Sequence, residues 1–503
     1  MDVAVISFQD NTDIIGAKYI HSYLLKSGFD SHLIIQPDRD VQTDGAILDF
    51  VAAKGIRLVG LSIMSIEFNR ACEFAAAFKE RYPDIPLVFG GIHATVAPEE
   101  CLEFCDAVFI GESEYAVADM AGRIRDGLDW TAVDNLCYRD SSGVLHRNPV
   151  RQPEPELDAF PFPRHLPDGM YVVDGGALKK FDDGLFRTYS RYSGSFLSII
   201  TTRGCPFSCT YCCNSAFRRV YDRVTIRKRS VENVIEECLD AKRRHPYLLM
   251  LNIQDDCFMT HGREWLEKFS RLYKEKVGIP FAFRTTPRHF YEESIRNLKD
   301  AGLRWVLIGL QSGSERINRE VFKRNIKIDE FLRVAERIKA LGISANYDVI
   351  LDNPYEDDED LLKTLDVVIS IPKPYQLQLF SLTFYPGTEL YARAISEKIA
   401  VDDAKTKDYG TLGKKQLNFI LELAPVFPAR LIKFLAANRE TSSIKKLITF
   451  LRYVNIAFLM PWSYFRLMCN VYDWNPVKLA RVAVVFGKDY RKLIMRKVGI
   501  RKA

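Results

Sequence analysis

The chain has 503 residues, enough for two or three domains, because single cores tend to split beyond roughly 250–300 residues. Its formal charge of +5, with 27% charged and 47% hydrophobic residues, is ordinary for a globular protein and does not by itself point to nucleic acid. The opening MDVAVISFQD lacks the basic and apolar regions of a secretory signal, and no run of about 18 apolar residues appears, so a cytoplasmic protein without a spanning helix is expected.

Residues 1–140 alternate β-rich runs with helical stretches. The runs are VAVISF (3–8), SHLIIQ (31–36), LVGLSIM (58–64), PLVFGG (86–91) and AVFIG (107–111). Strands alternating with helices predict a parallel, doubly wound α/β sheet, and five strands suit a flavodoxin-like (Rossmann-like) order. Residues 141–195 contain the proline-rich RNPVRQPEPELDAFPFPRHLPDG and read as a surface linker. From 196 to 400 six further βα units follow, too few for an eight-fold barrel and suited to a partial (β/α)6 barrel with its site at the C-terminal strand ends. Residues 401–503 read as helical and aromatic. Between Lys478 and Lys502 stand nine Lys/Arg and one acid, Asp489. This tail suits an anionic membrane surface or a polyanionic partner, or forms a solvated basic face. The apolar ITFLRYVNIAFLMPWSYFRLM is interrupted by Arg452 and Pro461 and reads either as a buried helical pair or as a lipid contact. No RNA-binding module is visible, so nucleic acid is not expected.

There are eleven cysteines, an odd number, and four of them fall between Cys205 and Cys213, which is not the pattern of a disulfide framework. The segment TTRGCPFSCTYCCNS carries C-x-x-x-C-x-x-C directly after the first strand of the second domain. Thiolates are soft ligands that suit iron–sulfur clusters and zinc. Three ligands in one loop hold three irons of a cubane and leave the fourth open. A structural zinc site needs four closed ligands. Cys213 is the only fourth thiol at hand, and adjacent cysteines rarely face one metal together. It reads as a packed thiol.

On Cys205, Cys209 and Cys212, with Tyr211 before the last ligand, the sequence resembles the radical S-adenosylmethionine (radical SAM) superfamily. The resemblance implies a 4Fe–4S cluster on these cysteines, with the open iron chelating S-adenosylmethionine, and a 5′-deoxyadenosyl radical that abstracts hydrogen from an unactivated carbon. It places Gln254-Asp255-Asp256, at the second strand end, where the family holds the amino group of S-adenosylmethionine. A carboxylate there accepts hydrogen bonds from an ammonium group, or else caps the next helix. Similar proteins read GxESGS where this chain has GLQSGS, so Gln311 and Ser312 are expected at the ribose or carboxylate, Gln311 without charge assistance. Arg284, ending the third strand, faces a carboxylate or makes a surface ion pair. Asp352-Asn353-Pro354-Tyr355-Glu356 stands in place of the family's glycine-rich turn and leaves the adenine contacts unassigned. The acids 356–360 are expected to cap a helix, and Tyr385-Pro386-Gly387-Thr388 to form a turn.

In the first domain GLSIMS (60–65), GGIHAT (90–95) and GESE (111–114) each end a predicted strand, where open α/β sheets bind ligands. Together, upstream of the cysteines, they resemble the cobalamin-binding domains fused to radical enzymes. The cofactor-binding positions expected from this resemblance are Asp13, Gly16, Ser62, Ser65, Gly90, Gly91, Gly111 and Glu112. Asp13 stands where the D-x-H-x-x-G loop of classical cobalamin domains has its cobalt-ligating histidine. His93 is expected to be structural rather than a metal ligand.

The function expected is a cobalamin-dependent radical SAM C-methyltransferase acting on a small molecule, one with lipid-like character if the apolar, basic C-terminus bears on it. Flavodoxin or ferredoxin is the expected electron donor. The alternatives are an anaerobic radical cyclase or rearrangement enzyme resembling the tetrapyrrole cyclases, and a non-enzymatic scaffold with a zinc-filled cysteine site.

Overall fold

The computed structural model describes residues 1–163, 168–222, 226–399, 410, 412–484 and 487. The chain divides into two compact units, the first comprising 1–198, 211–246 and 384–407 and the second 199–210, 247–383 and 408–503.

The first unit is built on β1 (Asp2–Ser7), α1 (Ile15–Lys26), β2 (Asp30–Ile35), α2 (Asp44–Lys54), β3 (Leu58–Ser62), α3 (Phe68–Arg81), β4 (Leu87–Gly90), the short helices α4 (Ile92–Val96) and α5 (Pro98–Cys101), β5 (Ala107–Phe109) and α6 (Glu114–Arg125). The five strands are parallel in the order β5-β4-β3-β1-β2, the flavodoxin-like order expected. Helices cover both faces, so the strands are apolar throughout and almost wholly buried. Burying each Phe, Val or Leu side chain contributes about 2 kcal/mol.

The stretch 141–195, expected as a linker, instead extends this sheet together with β6 just before it. β6 (Leu136–Arg139) and β7 (Leu145–Arg147) add antiparallel at one edge. At the other edge β8 (Met170–Asp174) pairs parallel with β2, and β9 (Ala177–Lys180) folds back on it. The hairpin turns on Gly175 and Gly176, both at positive φ, which a two-residue loop requires. The prolines upstream hid a strand pair that the alternation in MYVVDGGALKK carries. α7 (Asp183–Tyr189) follows.

The second sheet has six strands in sequential order: β10 (Phe196–Ile199), β13 (Met250–Ile253), β14 (Phe281–Thr285), β15 (Leu303–Gln311), β16 (Ser344–Leu351) and β17 (Gln376–Ser381). From β13 to β17 neighbouring strands pair parallel, as a partial barrel requires. The two-residue strands β11 (Thr202–Arg203) and β12 (Arg227–Lys228) lie between the first two, with α8 (Asn214–Val220) and α9 (Val231–Arg244). The crossover helices are α10 (Arg263–Leu272), α11 (Glu292–Ala301), α12 (Ile328–Ala340) and α13 (Asp358–Ser370).

Side chains alternate across a strand, so one contact orients its neighbours. Tyr347 meets Phe331 of α12 at 5.2 Å between ring centroids, and Phe281 meets Phe269 of α10 at 5.8 Å. These residues face the helices. Ala282 and Arg284 on β14, and Asn346 and Asp348 on β16, therefore face the opposite, inner side.

After α14 (Glu389–Ser396) come α15 (Gln416–Leu423), α16 (Ala429–Ala437), α17 (Ser442–Val454) and α18 (Met460–Val471). One π turn, Asn455–Leu459, joins α17 and α18 into a continuous helix. The wider turn accommodates Pro461, whose missing N–H and ring would break a regular α-helix. Tyr464 of α18 meets Trp305 at 5.9 Å, and Gln376 Nε2 donates to Ser463 at 3.4 Å. Most of the basic tail expected at 478–502, from 488 on, lies outside the described residues.

Candidate active site

The cysteine loop leaves β10 through Thr201 and Thr202. Asp255 holds this exit. It accepts from the Thr201 amide at 2.6 Å, from the Thr202 amide at 3.1 Å and from the Thr201 hydroxyl. His261 Nε2 meets the same hydroxyl at 2.7 Å, and its ring stacks on Trp265 at 3.4 Å. Asp255, expected at a ligand's amino group, is thus a positioning residue, 1% exposed and engaged with the strand exit. Asp256 beside it is exposed, and Gln254 donates its amide to Ile199 O at 2.8 Å.

Further along, Thr210 pins the loop by donating its amide to Phe322 O at 3.1 Å and its hydroxyl to Val321 O at 2.6 Å. Cys209 is buried, Cys205, Tyr211 and Cys212 are half-buried, and each of the eleven cysteines is a thiol rather than half of a disulfide. Cys213 occupies the N-cap of α8. Among the described residues no three His, Cys, Asp or Glu side chains stand together as a cage for one metal ion. A cubane cluster binds each thiol through a different iron, so its ligands need not converge on one point. Three soft donors on one pinned loop fit that group by their chemistry.

At the end of β15, Ser312 is fully buried. Its hydroxyl donates to Glu356 Oε1 at 3.0 Å and lies 3.2 Å from Thr364 Oγ1. The Gly313 amide donates to Thr364 Oγ1 at 2.8 Å, and a Cβ on Gly313 would sit 2.4 Å from Thr364 Cα, so only glycine fits. Ser314 donates to Asp360 at 2.6 Å, and Arg316 pairs with the same carboxylate. Asp357 caps α13 through the Asp360 amide at 2.9 Å. Ser312, expected at a ligand, instead locks the β15 exit onto α13. Gln311 differs. It is 9% exposed, at φ +66°, and its Oε1 has no hydrogen-bond partner among the described residues. An orphaned buried acceptor on a strained residue is where a ligand hydroxyl or ammonium fits.

Arg284 is exposed, and the carboxylate it faces is Asp348. Burial pushes the Asp348 carboxyl up to about 6, against the pull of Arg284 and Arg324. Asp348 Oδ1 and Asn346 Oδ1, both inner-facing, lack partners among the described residues. Burial likewise raises Glu356 to about 7, its Oε2 also orphaned. Sequence reasoning missed Asn346, Asp348 and Thr201. A signal for the first two was present: SANYDVIL places two polar residues two apart in a strand that a parallel sheet would make apolar on both faces. Asp352, in the turn that departs from a glycine-rich one, accepts from Ser381 Oγ at 2.7 Å, the Gly413 amide at 2.8 Å and Asn418 Nδ2 at 2.8 Å. The polar turn therefore anchors the C-terminal helices. Tyr385–Thr388 is a turn, Thr388 capping α14.

In the first unit the strand ends divide. Gly91 has φ +92°, and a Cβ there would lie 2.8 Å from Ile63 O. Gly16 is exposed with open space beside it, Ser62 and Gly90 are half-buried, and Gly90 is in ordinary contact. Ser65 is buried against His93, Oγ to Nδ1 3.0 Å, and Phe68 lies 4.5 Å from the imidazole, so His93 is structural. Gly111 and Glu112, expected at a cofactor, are engaged by the protein itself. Tyr221 fills the space beside Gly111 and accepts from the Glu112 amide at 2.6 Å. The Glu112 carboxylate pairs with Arg227, Nη1 to Oε2 2.9 Å. Asp13 accepts from Ser198 Oγ at 3.3 Å, in a turn closed by Asn11 Oδ1 at 2.8 Å. Beside it, Lys18 is 3% exposed, and burial lowers its amine to about 8, with Asp13 and Glu237 pulling it back. His93 is packed away, and Asp13 rather than an imidazole stands in the loop where classical cobalamin domains place their ligand. Gly16 has open space beside it, and Ser62 and Gly90 end β3 and β4 half-buried, with Gly91 packed against the Ile63 backbone.

The sequence model of the B12 binding domain matches residues 1–121, and that of the radical SAM superfamily matches 199–368. The chain belongs to the radical SAM superfamily and carries an N-terminal B12-binding domain. The uncharacterized methyltransferase PH0819 of Pyrococcus horikoshii is 26% identical over 348 residues, 68% of this chain and 70% of that protein. The anaerobic magnesium-protoporphyrin IX monomethyl ester cyclase of Rubrivivax gelatinosus is 21% identical over 408 residues, 78% and 68% of the two chains. Among solved structures, the radical SAM methyltransferase TsrM from Kitasatospora setae, with cobalamin and a 4Fe–4S cluster bound, aligns with TM-score 0.64 at 17% identity over 80% of this chain and 79% of that one. At that identity the likeness establishes the fold. Superfamily membership sets the zinc-scaffold alternative aside.

Proposed function

We propose that this chain is a cobalamin-dependent radical SAM methyltransferase acting on an unactivated carbon of a small molecule. The observation that carries the reading is three thiols on one pinned loop after the first strand of a six-stranded parallel sheet, behind a B12-binding domain. When bound, the cluster with S-adenosylmethionine supplies one-electron cleavage and hydrogen abstraction, and cobalamin supplies a transferable methyl group.

Cys205, Cys209 and Cys212 hold the cluster, and Asp255 with Thr201 fixes where their loop begins. Gln311 Oε1 and the inner-facing Asp348 and Asn346 accept hydrogen bonds from hydroxyl or ammonium donors of S-adenosylmethionine or substrate. Arg284 keeps Asp348 anionic near neutral pH, which gives such a bond charge assistance. Asp256 and Tyr211 stand beside this machinery without an assigned ligand. In the first unit Gly16 leaves room for the cofactor, Ser62 offers it a hydroxyl, and Gly91 lets the β3 and β4 ends pack closely beneath it. An external one-electron donor of the flavodoxin or ferredoxin class reduces the cluster. The division into a cobalamin-binding domain, a barrel and a C-terminal helical region is part of this proposal.

The cyclase relative supports a second reading, an anaerobic radical cyclase or rearrangement enzyme. Anaerobic reconstitution followed by iron, sulfide and cobalt analysis tests the shared part. Product analysis separates the two, because methyl transfer yields S-adenosylhomocysteine beside 5′-deoxyadenosine and cyclisation yields none. Failure of iron and sulfide to load, or loading unchanged in Cys205→Ala, would overturn both readings.

A further inference from the structure

The helix from Ser442 to Val471 presents two unlike faces. One is buried through Ile448, Ile456, Leu467 and Met468, and Arg452 on its flank donates to Glu422 at 2.6 Å. The other carries Leu447, Phe450, Phe458, Trp462 and Phe465, all exposed, with Phe450 at 62%, Phe458 at 70% and Trp462 at 60%. The spacings of three, eight, four and three keep these residues on one stripe. Large aromatics in such a row cost solubility unless something covers them.

Charge says what covers them. Between Ser442 and Arg481 the chain has Lys445, Lys446, Arg452, Arg466, Lys478 and Arg481 against one acid, Asp473, which pairs with Arg304. Lys446, Arg466, Lys478 and Arg481 are exposed. A second copy packed on this stripe would set cation against cation. Among the described residues no helix is long and apolar enough to cross a membrane. An amphipathic helix with Trp and Phe on one side and Lys and Arg at its margins lies in the plane of an interface.

We propose that this helix docks the protein on an anionic lipid bilayer, with Phe450, Phe458 and Trp462 entering the headgroup boundary and Lys446 and Arg466 meeting lipid phosphates. The proposal stands whatever reaction the enzyme catalyses.

The test is co-sedimentation of the full-length protein with vesicles of phosphatidylcholine alone or with phosphatidylserine. Binding to the anionic vesicles, weakened by salt and shifting Trp fluorescence to the blue, is expected. F458D with W462D should reduce it by at least about tenfold, since both aromatics would otherwise enter the headgroup boundary. Both side chains are exposed, so the thermal unfolding midpoint should stay unchanged. Absent binding, equal binding to neutral vesicles, or unchanged binding by the variant would overturn the proposal. So would light scattering that shows a dimer which the same variant dissociates.

Discussion

The two parallel sheets of this protein use their polar residues in different ways. In the nine-stranded sheet the central strands β1, β3, β4 and β5 are mostly apolar and buried between helices, and the polar and glycine positions Ser62, Gly90 and Gly91 fall at strand ends. The six-stranded sheet has an apolar face toward its helices and a polar inner one, where Arg284, Asn346 and Asp348 stand and the Oδ1 acceptors of Asn346 and Asp348 lack partners among the described residues. The lesson is energetic. A buried acceptor without a partner costs about 1–3 kcal/mol, so the open acceptors of the inner wall are where a ligand or water would bind most favourably. In the function proposed above, the first sheet would bind at its loops and the second within its own wall.

The largest break in this comparison should come from Cys209→Ala, which is expected to abolish turnover and cut iron and sulfide loading while leaving cobalt content intact. Cobalt lost along with iron would show that the two sites do not load independently. Gly91→Ala should act conversely. Its φ and the 2.8 Å approach to Ile63 O predict a cost of about 2–4 kcal/mol at the B12 domain and weakened cobalamin retention, with iron loading preserved.

Asp348→Asn sharpens the claim about the polar wall. A carboxyl held at about 6, above its ordinary value, binds its proton more tightly folded than unfolded. Ionisation therefore costs stability as pH rises from about 4 through 6, and the cost is complete above that. The asparagine variant should match the parent in unfolding free energy below pH 4 and exceed it by on the order of 2 kcal/mol at pH 8. Its turnover should fall about 10–100-fold from the lost charged hydrogen bond. Unchanged turnover would make the residue structural.

The smallest effect should be that of Lys18→Met. Burial lowers this amine to about 8, so the folded state carries a penalty wherever the lysine is protonated in both states. The methionine variant should gain about 1–2 kcal/mol at pH 7, a gain that shrinks through pH 8 and vanishes above about 10.5. Destabilisation at pH 7 would mean that Asp13 and Glu237 hold the ammonium firmly enough to outweigh its burial.

The cysteine loop, both strand orders and the B12-like domain were legible because each rests on local pattern: C-x-x-x-C-x-x-C, apolar runs and glycines at strand ends. The sheet-extending hairpin at 170–180 was hidden behind prolines that suggested a linker. The ligand positions fared unevenly for one reason. Asp255, Ser312 and Glu112 carry the chemistry of a ligand contact, yet each is engaged by a protein group far along the chain, at separations of 54, 44 and 115 residues. Gln311 keeps its acceptor open, and Asp348 joins it from a strand that read as core.

Sequence alone thus determined which elements form and which donor atoms exist, because backbone periodicity and thiol softness are properties of neighbouring residues. Tertiary structure decided which of those donors are left over for a ligand. A buried polar group is satisfied by whatever the fold brings within about 3 Å, and only the packed chain shows whether that partner is Thr201, Glu356 and Arg227 or a space.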